Sequence, residues 1–310
     1  MKRIQYHQYG GASMMRLEEF EVEAPGKGQL LVKVKYAAIN PIDWKLRNGS
    51  MKILTGNTFP RAMGLDFSGT VISTGRGVTR FAPGDHVFGM ARLKQAGAFG
   101  EMLVTNESFV THKPDTVSFE DAACLATPGI MAWRGLVEKS RLRAGQHVFV
   151  NGCAGAVGIA TIQIAQMLGA IVSGSCRRED MAKMQKMGLA HVYDYRKVDL
   201  HALTQKFDIV YDTSTTISAS TGMKLLKKNG VFLDLDPKPM KFLRAIFSKN
   251  YQVLIGSPSE YTLGKVAQAA ALGKLQLPIG RIVSLIDGAN LMSEIEGGLK
   301  IGGKGVIAME

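Results

Sequence analysis

The stretch HVFVNGCAGAVGIATIQIAQMLG, residues 147–169, decides the fold. An apolar run of strand length leads into glycines at positions 152, 155 and 158, and an apolar helical segment follows without a break. Small residues there leave a pyrophosphate free to reach backbone N–H groups at the positive N-terminus of a helix. Gly158 also allows close packing of the helix on the strand.

The spacing of these glycines is GxxGxxG rather than the commoner GxGxxG, so the position between strand and helix carries the interpretation. The alternative is a tight turn with a purely structural role. We interpret the segment as a dinucleotide-binding loop, formed by Gly152, Gly155, Ala156, Val157 and Gly158.

Strands and helices alternate around this loop, over residues 117–261. Strand cores run through HVFVN, AIVSGS, HVY, FDIVYD, GVFLDL and YQVLIGS, and helix-compatible segments separate most of them. Crossovers of that length predict a parallel, doubly wound sheet. Ser118, with Asp121 three residues later, is expected to be the N-cap of the helical segment that opens this part of the chain.

The residues before this region have a different pattern. LLVKVKY (Leu30–Tyr36) alternates apolar and charged residues, and glycines and prolines mark tight turns between short strands. This predicts a compact barrel or sandwich, and the segment after residue 262 returns to mixed helix and strand. The expected fold class is therefore α/β, with a Rossmann-type doubly wound sheet and a second, β-rich domain.

The bulk properties agree with a two-domain globular protein of 310 residues. Its three scattered cysteines give no disulfide framework and favour a reducing compartment. The N-terminus has no secretory h-region, and glutamines and a glycine interrupt the most apolar long segment, so we expect a soluble, cytoplasmic protein. A net charge of +12 favours an anionic partner or reflects a solvated basic surface.

The end of the second strand of the alternating region indicates which dinucleotide binds. An NAD site has an Asp or Glu there for the ribose hydroxyl, whereas this chain has Ser175, Cys176, Arg177 and Arg178. Two guanidinium groups suit a 2′-phosphate, so NADPH is the expected cofactor, although the two arginines could also be simple surface residues.

Several segments together resemble the medium-chain dehydrogenase/reductases, in their zinc-free quinone oxidoreductase and alkenal/enone reductase branch. The resemblance covers almost the whole chain and rests on YGGASMMRLEE, PGKGQLLVKVKYAAINPIDWKLRNG, FPRAMGLDFSG, GVTRFAPGDHVFGM, the NGCAGAVG loop and HVYDYR. It implies a GroES-like catalytic domain over residues 1–116 and 262–310, a Rossmann NADPH-binding domain over residues 117–261, a cleft between them and a homodimer.

The resemblance also predicts that no metal is bound. Zinc-dependent members carry Gly-His-Glu where this chain has Gly64, Leu65 and Asp66, and their first and third ligands fall at Asn40 and near Thr127. Leucine cannot ligate zinc, and Asn40 and Thr127 are poor substitutes for a ligand. Without a Lewis acid, the expected reaction is hydride transfer to a quinone or an α,β-unsaturated carbonyl. Asp66 is expected to brace the cleft through backbone hydrogen bonds, outside catalysis.

Two residues are expected to be catalytic. Asn40 matches the family's asparagine and would orient substrate or nicotinamide. Lys45 stands where some quinone oxidoreductases have a tyrosine, so it either donates a proton to the oxyanion or lies on the surface of a short helix. Asp43 is predicted to be the N-cap of that helix. Met131 replaces a threonine that often contacts nicotinamide.

The resemblance adds one residue to the cofactor site. Tyr195 matches a tyrosine that packs near the adenosine phosphate. The family's basic residue after the second strand falls on Asp180 in this chain, so Arg177 and Arg178 must take that role.

Two rival functions remain open. One is an enoyl-thioester or ketone reductase of the same fold. The other is RNA binding, as in relatives that resemble zeta-crystallin, but the chain shows no basic motif interleaved with aromatic residues. Its most concentrated basic and apolar segment, PKPMKFLRAIFSKN at residues 237–250, is interpreted as a crossover helix with a solvated face. A small-molecule substrate is therefore expected, with no membrane partner and no nucleic acid.

Overall fold

The computed structural model describes residues 1–236 and 238–309. Pro237, which begins the basic and apolar segment named above, and Glu310 lie outside the described residues. The chain forms two compact units, the first of Met1–Thr127 with Pro258–Glu310 and the second of Pro128–Ser257. The domain boundaries expected from sequence, after residues 116 and 261, stay a prediction.

The N-terminal part of the first unit is rich in short strands. Its elements are β1 (Lys2–Tyr6), β2 (Arg16–Glu19), β3 (Gln29–Ala38), α1 (Pro41–Arg47), α2 (Lys52–Thr55), β4 (Arg61–Ala62), β5 (Asp66–Thr74), β6 (His86–Met90), β7 (Met102–Asn106), β8 (Val110–His112) and α3 (Phe119–Ala123).

Alternating helices and strands follow. They are α4 (Ala126–Trp133), β9 (His147–Asn151), α5 (Ala156–Met167), β10 (Ile171–Cys176), α6 (Met181–Lys186), β11 (His191–Asp194), β12 (Phe207–Asp212), α7 (Ala219–Lys224), β13 (Leu226–Asp234), α8 (Pro239–Ile246) and β14 (Tyr251–Val253). The chain then returns to the first unit with α9 (Glu260–Ala271), β15 (Ile279–Ser284), α10 (Gly288–Glu296) and β16 (Lys304–Ala308).

The second unit is built on one parallel sheet, with strand order β11-β10-β9-β12-β13-β14. The order reverses at β9, where the next strand along the chain lies on one side and β12 on the other. Buried aromatic side chains of Phe149, Phe207, Phe232 and Tyr251 form part of its core. The predicted doubly wound sheet is confirmed, and ligands of such sheets bind where the order reverses, at the carboxyl ends of the strands.

The first unit holds two sheets that are mostly antiparallel. One has the order β15-β16-β3-β5-β6-β8, with β7 also paired to β3, and the other has the order β2-β1-β4. In the larger sheet Val306 pairs with Ala38, and Ala38 pairs with Asp66 on the other side. This register brings the start of β16, the end of β3 and the start of β5 to one place.

Two predicted helix starts have different outcomes. Ser118 is the N-cap of α3, and its hydroxyl accepts the Asp121 backbone N–H at 3.0 Å, as expected. The predicted N-cap of α1 is wrong, because Asn40 is the N-cap and Pro41 opens the helix. Asp43 is the third helical residue, and its carboxylate accepts the Asn40 backbone N–H at 2.7 Å. An acidic residue at that position satisfies an N–H that the helix leaves unpaired.

Candidate active site

The glycine loop between β9 and α5 combines a turn with an open helix end. Gly152 has φ +78°, a conformation that side chains disfavour. A Cβ at Gly158 would lie 2.3 Å from the Gly152 carbonyl oxygen, so this position requires glycine for packing. At Gly155 the nearest atom to such a Cβ is that same oxygen, at 3.4 Å. Gly155 therefore borders open space, whereas Gly158 is packed tightly.

The N-terminus of α5 offers unpaired hydrogen-bond donors. Gly155 is its N-cap and supplies no side-chain hydrogen bond, and the first turn contains no acidic residue. The backbone N–H groups of Ala156, Val157 and Gly158 have no acceptor within a regular helix. These donors and the helix dipole fit a pyrophosphate group.

Asn151 ties together the carboxyl ends of three neighbouring strands. Its side chain accepts the Ser175 hydroxyl hydrogen at 2.6 Å and donates to Asp212 at 2.8 Å. Its Nδ2 also lies 2.6 and 2.8 Å from the hydroxyl oxygens of Ser214 and Thr216, so two hydrogens are shared among three acceptors. Ser175, predicted to contact the cofactor, is buried and hydrogen-bonded within this network. Sequence reasoning overlooked Asn151, which ends its strand next to the glycine loop.

The predicted phosphate-binding residues lie at the exposed end of β10. Arg177 forms an ion pair with Asp180 at 3.0 Å, and Arg178 is exposed. Half-exposed Tyr195 follows β11, which pairs directly with β10. A further basic residue, Arg196, lies over the Tyr195 ring at 5.6 Å from its centroid and donates from Nε to the phenol oxygen at 3.2 Å. Its position next to Tyr195 is the signal that could have identified it.

Asn40 is held by a lysine from the far end of the chain. Lys304 Nζ donates to Asn40 Oδ1 at 2.6 Å and to the Ile39 carbonyl oxygen at 2.7 Å. An ammonium group only donates, so it fixes which end of the amide faces it. Asn40 Nδ2 points the other way and donates to the Ala38 carbonyl oxygen at 3.2 Å, which uses one of its two hydrogens.

Asp66, the carboxylate of the FPRAMGLDFSG segment, accepts two hydrogen bonds from Thr127. The backbone N–H of Thr127 donates at 2.9 Å and its hydroxyl at 2.6 Å. Burial raises the pKa of Asp66, while the positive charge of Lys304 and the Thr127 hydrogen bonds oppose that rise. Asp66 thus has the bracing contact expected from sequence, with a hydroxyl as well as a backbone donor.

Asp43 completes this buried group of charges. Burial raises its pKa to about 8, and the Asn40 backbone hydrogen bond acts in the opposite direction. Asp43, Asp66 and Lys304 are each less than a tenth exposed. We call these three residues together with Asn40 the buried polar cluster. Lys304 was not predicted to be a site residue, because the GGKG segment around it has the composition of an ordinary turn.

The second residue predicted to be catalytic, Lys45, lies outside this cluster, and so does Met131, which departs from the family's threonine. Lys45 is exposed on α1, and Met131 is buried in the second unit, where its carbonyl oxygen accepts the Tyr211 hydroxyl hydrogen at 2.8 Å. Within residues 1–236 and 238–309, no group of three or more His, Cys, Asp or Glu side chains could hold a metal ion. Over the same residues, none of the helices has the length and apolar character needed to cross a membrane.

Two segments of the chain match models of known protein families. Residues 26–115 match the alcohol dehydrogenase GroES-like domain, and residues 156–234 match the zinc-binding dehydrogenase family. Quinone oxidoreductase of Rattus norvegicus is 30% identical over 238 residues, which cover 74% of this chain and 71% of the relative.

Solved structures give the same picture. The quinone oxidoreductase from Coxiella burnetii is 27% identical, with a TM-score of 0.89 and coverage of 100% of this chain and 99% of that one. The Escherichia coli quinone oxidoreductase complexed with NADPH shares the fold at 21% identity, with a TM-score of 0.84 and full coverage of both chains. The chain therefore belongs to the medium-chain dehydrogenase/reductase superfamily, in its quinone oxidoreductase branch.

Proposed function

We propose that this oxidoreductase is a zinc-independent, NADPH-dependent reductase of quinones or α,β-unsaturated carbonyl compounds. The observation that carries the proposal is the donor set of the buried polar cluster. An amide and an ammonium group lie where a metal site would need thiolate or imidazole ligands, and Leu65 beside them is a buried apolar residue.

The reaction follows from what such a donor set can stabilise. Bound NADPH would supply a hydride. A quinone or a conjugated carbonyl that accepts a hydride develops negative charge on oxygen, and a hydrogen-bond donor lowers the energy of that charge. Asn40 Nδ2 is the donor we assign to this role, since Lys304 occupies the other end of the amide, and it would exchange its side-chain hydrogen bond with Asp66 for one with the substrate.

Lys45, exposed on α1, is the candidate for delivering a proton to the reduced oxygen. Water is the alternative proton source, so we assign Lys45 the secondary role.

The residues that would hold the cofactor belong to the second unit. The uncapped N-terminus of α5 would bind the pyrophosphate. Arg177, Arg178 and Tyr195 would surround the 2′-phosphate, together with Arg196. The ion pair between Arg177 and Asp180 supports a weaker preference for NADPH than two unpaired arginines would give.

A panel assay of NADPH oxidation tests the proposed reaction. Quinones, enals, enones, an enoyl thioester and simple ketones would be compared, each with and without a metal chelator. We expect the highest kcat/KM with a quinone or an enone and no change on chelation. Preference for the enoyl thioester would favour the rival reductase, and loss of activity with loss of one bound zinc would contradict zinc independence.

The cofactor preference has its own test. A charge-assisted contact to the 2′-phosphate contributes about 1.5–3 kcal/mol, and replacing Arg177 and Arg178 with alanine would remove at least one such contact. NADPH affinity should fall by roughly one to two orders of magnitude while NADH affinity changes little. The matched variant Asp180→Asn frees Arg177 from its ion pair and should tighten NADPH binding. Equal losses for both cofactors would contradict the assignment.

A further inference from the structure

Helix α8 carries its apolar residues on the outside. Four large apolar side chains are exposed along it and at its end. They are Met240 (76%), Leu243 (52%), Ile246 (75%) and Phe247 (82%). Positions three and four residues apart lie on one face of a helix, so these side chains form one continuous stripe. We call them the α8 stripe.

A charged side chain of the same helix faces the protein. Lys241 donates to buried Asp234 at 2.7 Å and pairs with Asp236 at 3.0 Å. Asp234 also accepts the Tyr251 hydroxyl hydrogen at 2.8 Å. These contacts fix the rotation of the helix, and its apolar side must then face outward. The solvated face expected of this segment is therefore largely apolar, because Asp234 attracts the lysine inward.

The charged residues on the segment that carries the α8 stripe are all positive, and Asp236, just before it, pairs with Lys238 at 3.0 Å. Residues 237–250 contain four basic residues and no acidic residue. Of these, Lys238, Arg244 and Lys249 are exposed. The whole chain carries a net charge of +12. An apolar stripe flanked by lysine and arginine is the pattern of helices that lie in the interface of an anionic membrane.

We propose that α8 docks the protein on an anionic lipid surface, with the α8 stripe inserted among the headgroups and with Arg244 and Lys249 paired with lipid phosphates. Such docking is peripheral and needs no membrane-spanning helix. A second copy of the chain fits this face less well. In a two-fold dimer the same patch meets itself, and the basic flanks would then repel each other. The inference does not depend on the proposed substrate or cofactor.

Vesicle flotation with the full-length protein tests the proposal. The probes are vesicles of pure phosphatidylcholine and vesicles containing about one third phosphatidylglycerol. We expect binding to the anionic vesicles, at least about tenfold weaker binding to the neutral ones, and a loss as salt is raised. Absence of binding to the anionic vesicles, or equal binding to both kinds, would overturn the proposal.

Three variants locate the contact. Leu243→Ser with Phe247→Ser should lower binding roughly tenfold or more, because both side chains leave the stripe. Arg244→Gln with Lys249→Gln should lower it several-fold and reduce its salt dependence. The matched control is Leu272→Ser, which removes an even more exposed leucine from the end of α9 and should leave binding unchanged. Equal loss in all three would overturn the assignment to α8.

Two measurements on the same variants separate lipid docking from misfolding and from dimer formation. Circular dichroism and melting temperature should match the wild type, since all replaced side chains are exposed. Sedimentation velocity should show the same oligomeric state for the wild type and the double serine variant. A wild-type dimer that the serine replacements dissociate would show that a second copy covers the stripe, and would overturn the proposal.

Discussion

Lys304 and Asn40 are separated by 264 residues in the sequence yet share a buried hydrogen bond of 2.6 Å. No local pattern predicts such a contact, because it depends on the pairing of β16 with β3. The sequence did indicate Asn40, through its match to a family motif. It did not indicate the lysine that orients the amide, and a lysine among glycines is ordinary in a turn.

We expect Lys304→Met to lower kcat by about tenfold or more while KM changes less. The substitution leaves Asn40 Oδ1 without its donor, and an unsatisfied buried acceptor costs about 1–3 kcal/mol. The amide is then free to turn, so its Nδ2 hydrogen no longer has a fixed direction. Lys304→Arg keeps a donor and should restore part of kcat. Equal activity in the Met and Arg variants would contradict a positioning role.

Asp43 makes stability depend on pH. Burial raises its pKa to about 8, above the roughly 3.9 of an unfolded chain. The folded state therefore holds a proton that the unfolded state releases. The stability from this group is fully present below about pH 4 and is lost as pH rises through about 8.

The variant Asp43→Asn should remove this dependence. Urea unfolding from about pH 5 to pH 9 should show a steeper loss of stability in the wild type than in Asp43→Asn. Asp115→Asn, at an exposed position, is the matched control and should behave as the wild type. Parallel stability curves for the wild type and Asp43→Asn would contradict the raised pKa.

The glycine loop between β9 and α5 could be predicted from sequence, because an apolar strand, three spaced glycines and an apolar helix follow one another along the chain. The parallel sheet also followed from local patterns, since the crossover rules leave few arrangements. The direction that α8 faces could not be predicted. Its apolar spacing is the same for an inward and an outward stripe, and the buried carboxylate of Asp234 decides between them.

The second and third glycines of the loop should respond differently to substitution. Gly155→Val places a side chain into open space at the N-terminus of α5, so it should abolish most cofactor binding and leave the fold intact. Gly158→Ala should instead destabilise the protein, because its Cβ meets the Gly152 carbonyl oxygen.

Cofactor titration and thermal melting distinguish the two effects. Gly264→Ala, at an α9 position with no neighbouring atom within 4 Å, is the control: it should leave the cofactor dissociation constant unchanged and raise the melting temperature slightly, because alanine favours a helix over glycine. An unchanged cofactor dissociation constant in Gly155→Val would argue against the loop as the pyrophosphate site.

At the scale of the whole molecule, the reactivity of the three cysteines measures the opening of each unit separately. Cys124 belongs to the first unit, and Cys153 and Cys176 belong to the second, where they lie beside the glycine loop and at the end of β10. All three are free and buried. Burial raises the pKa of Cys124 to about 12. A hydrogen bond with Cys176 raises the pKa of Cys153, and the same contact lowers that of Cys176.

Thiol labelling should therefore depend on local opening of each unit. In the native protein, maleimide should label all three cysteines slowly, and in urea all three should react quickly. NADPH binding stabilises the conformation that binds it by an amount that grows with ligand concentration. It should then slow the labelling of Cys153 and Cys176 more than that of Cys124, as measured by mass spectrometry of timed samples. The variant Gly155→Val should lose this difference. Equal slowing at all three cysteines would mean that one global opening controls their reaction, and that the units do not open independently.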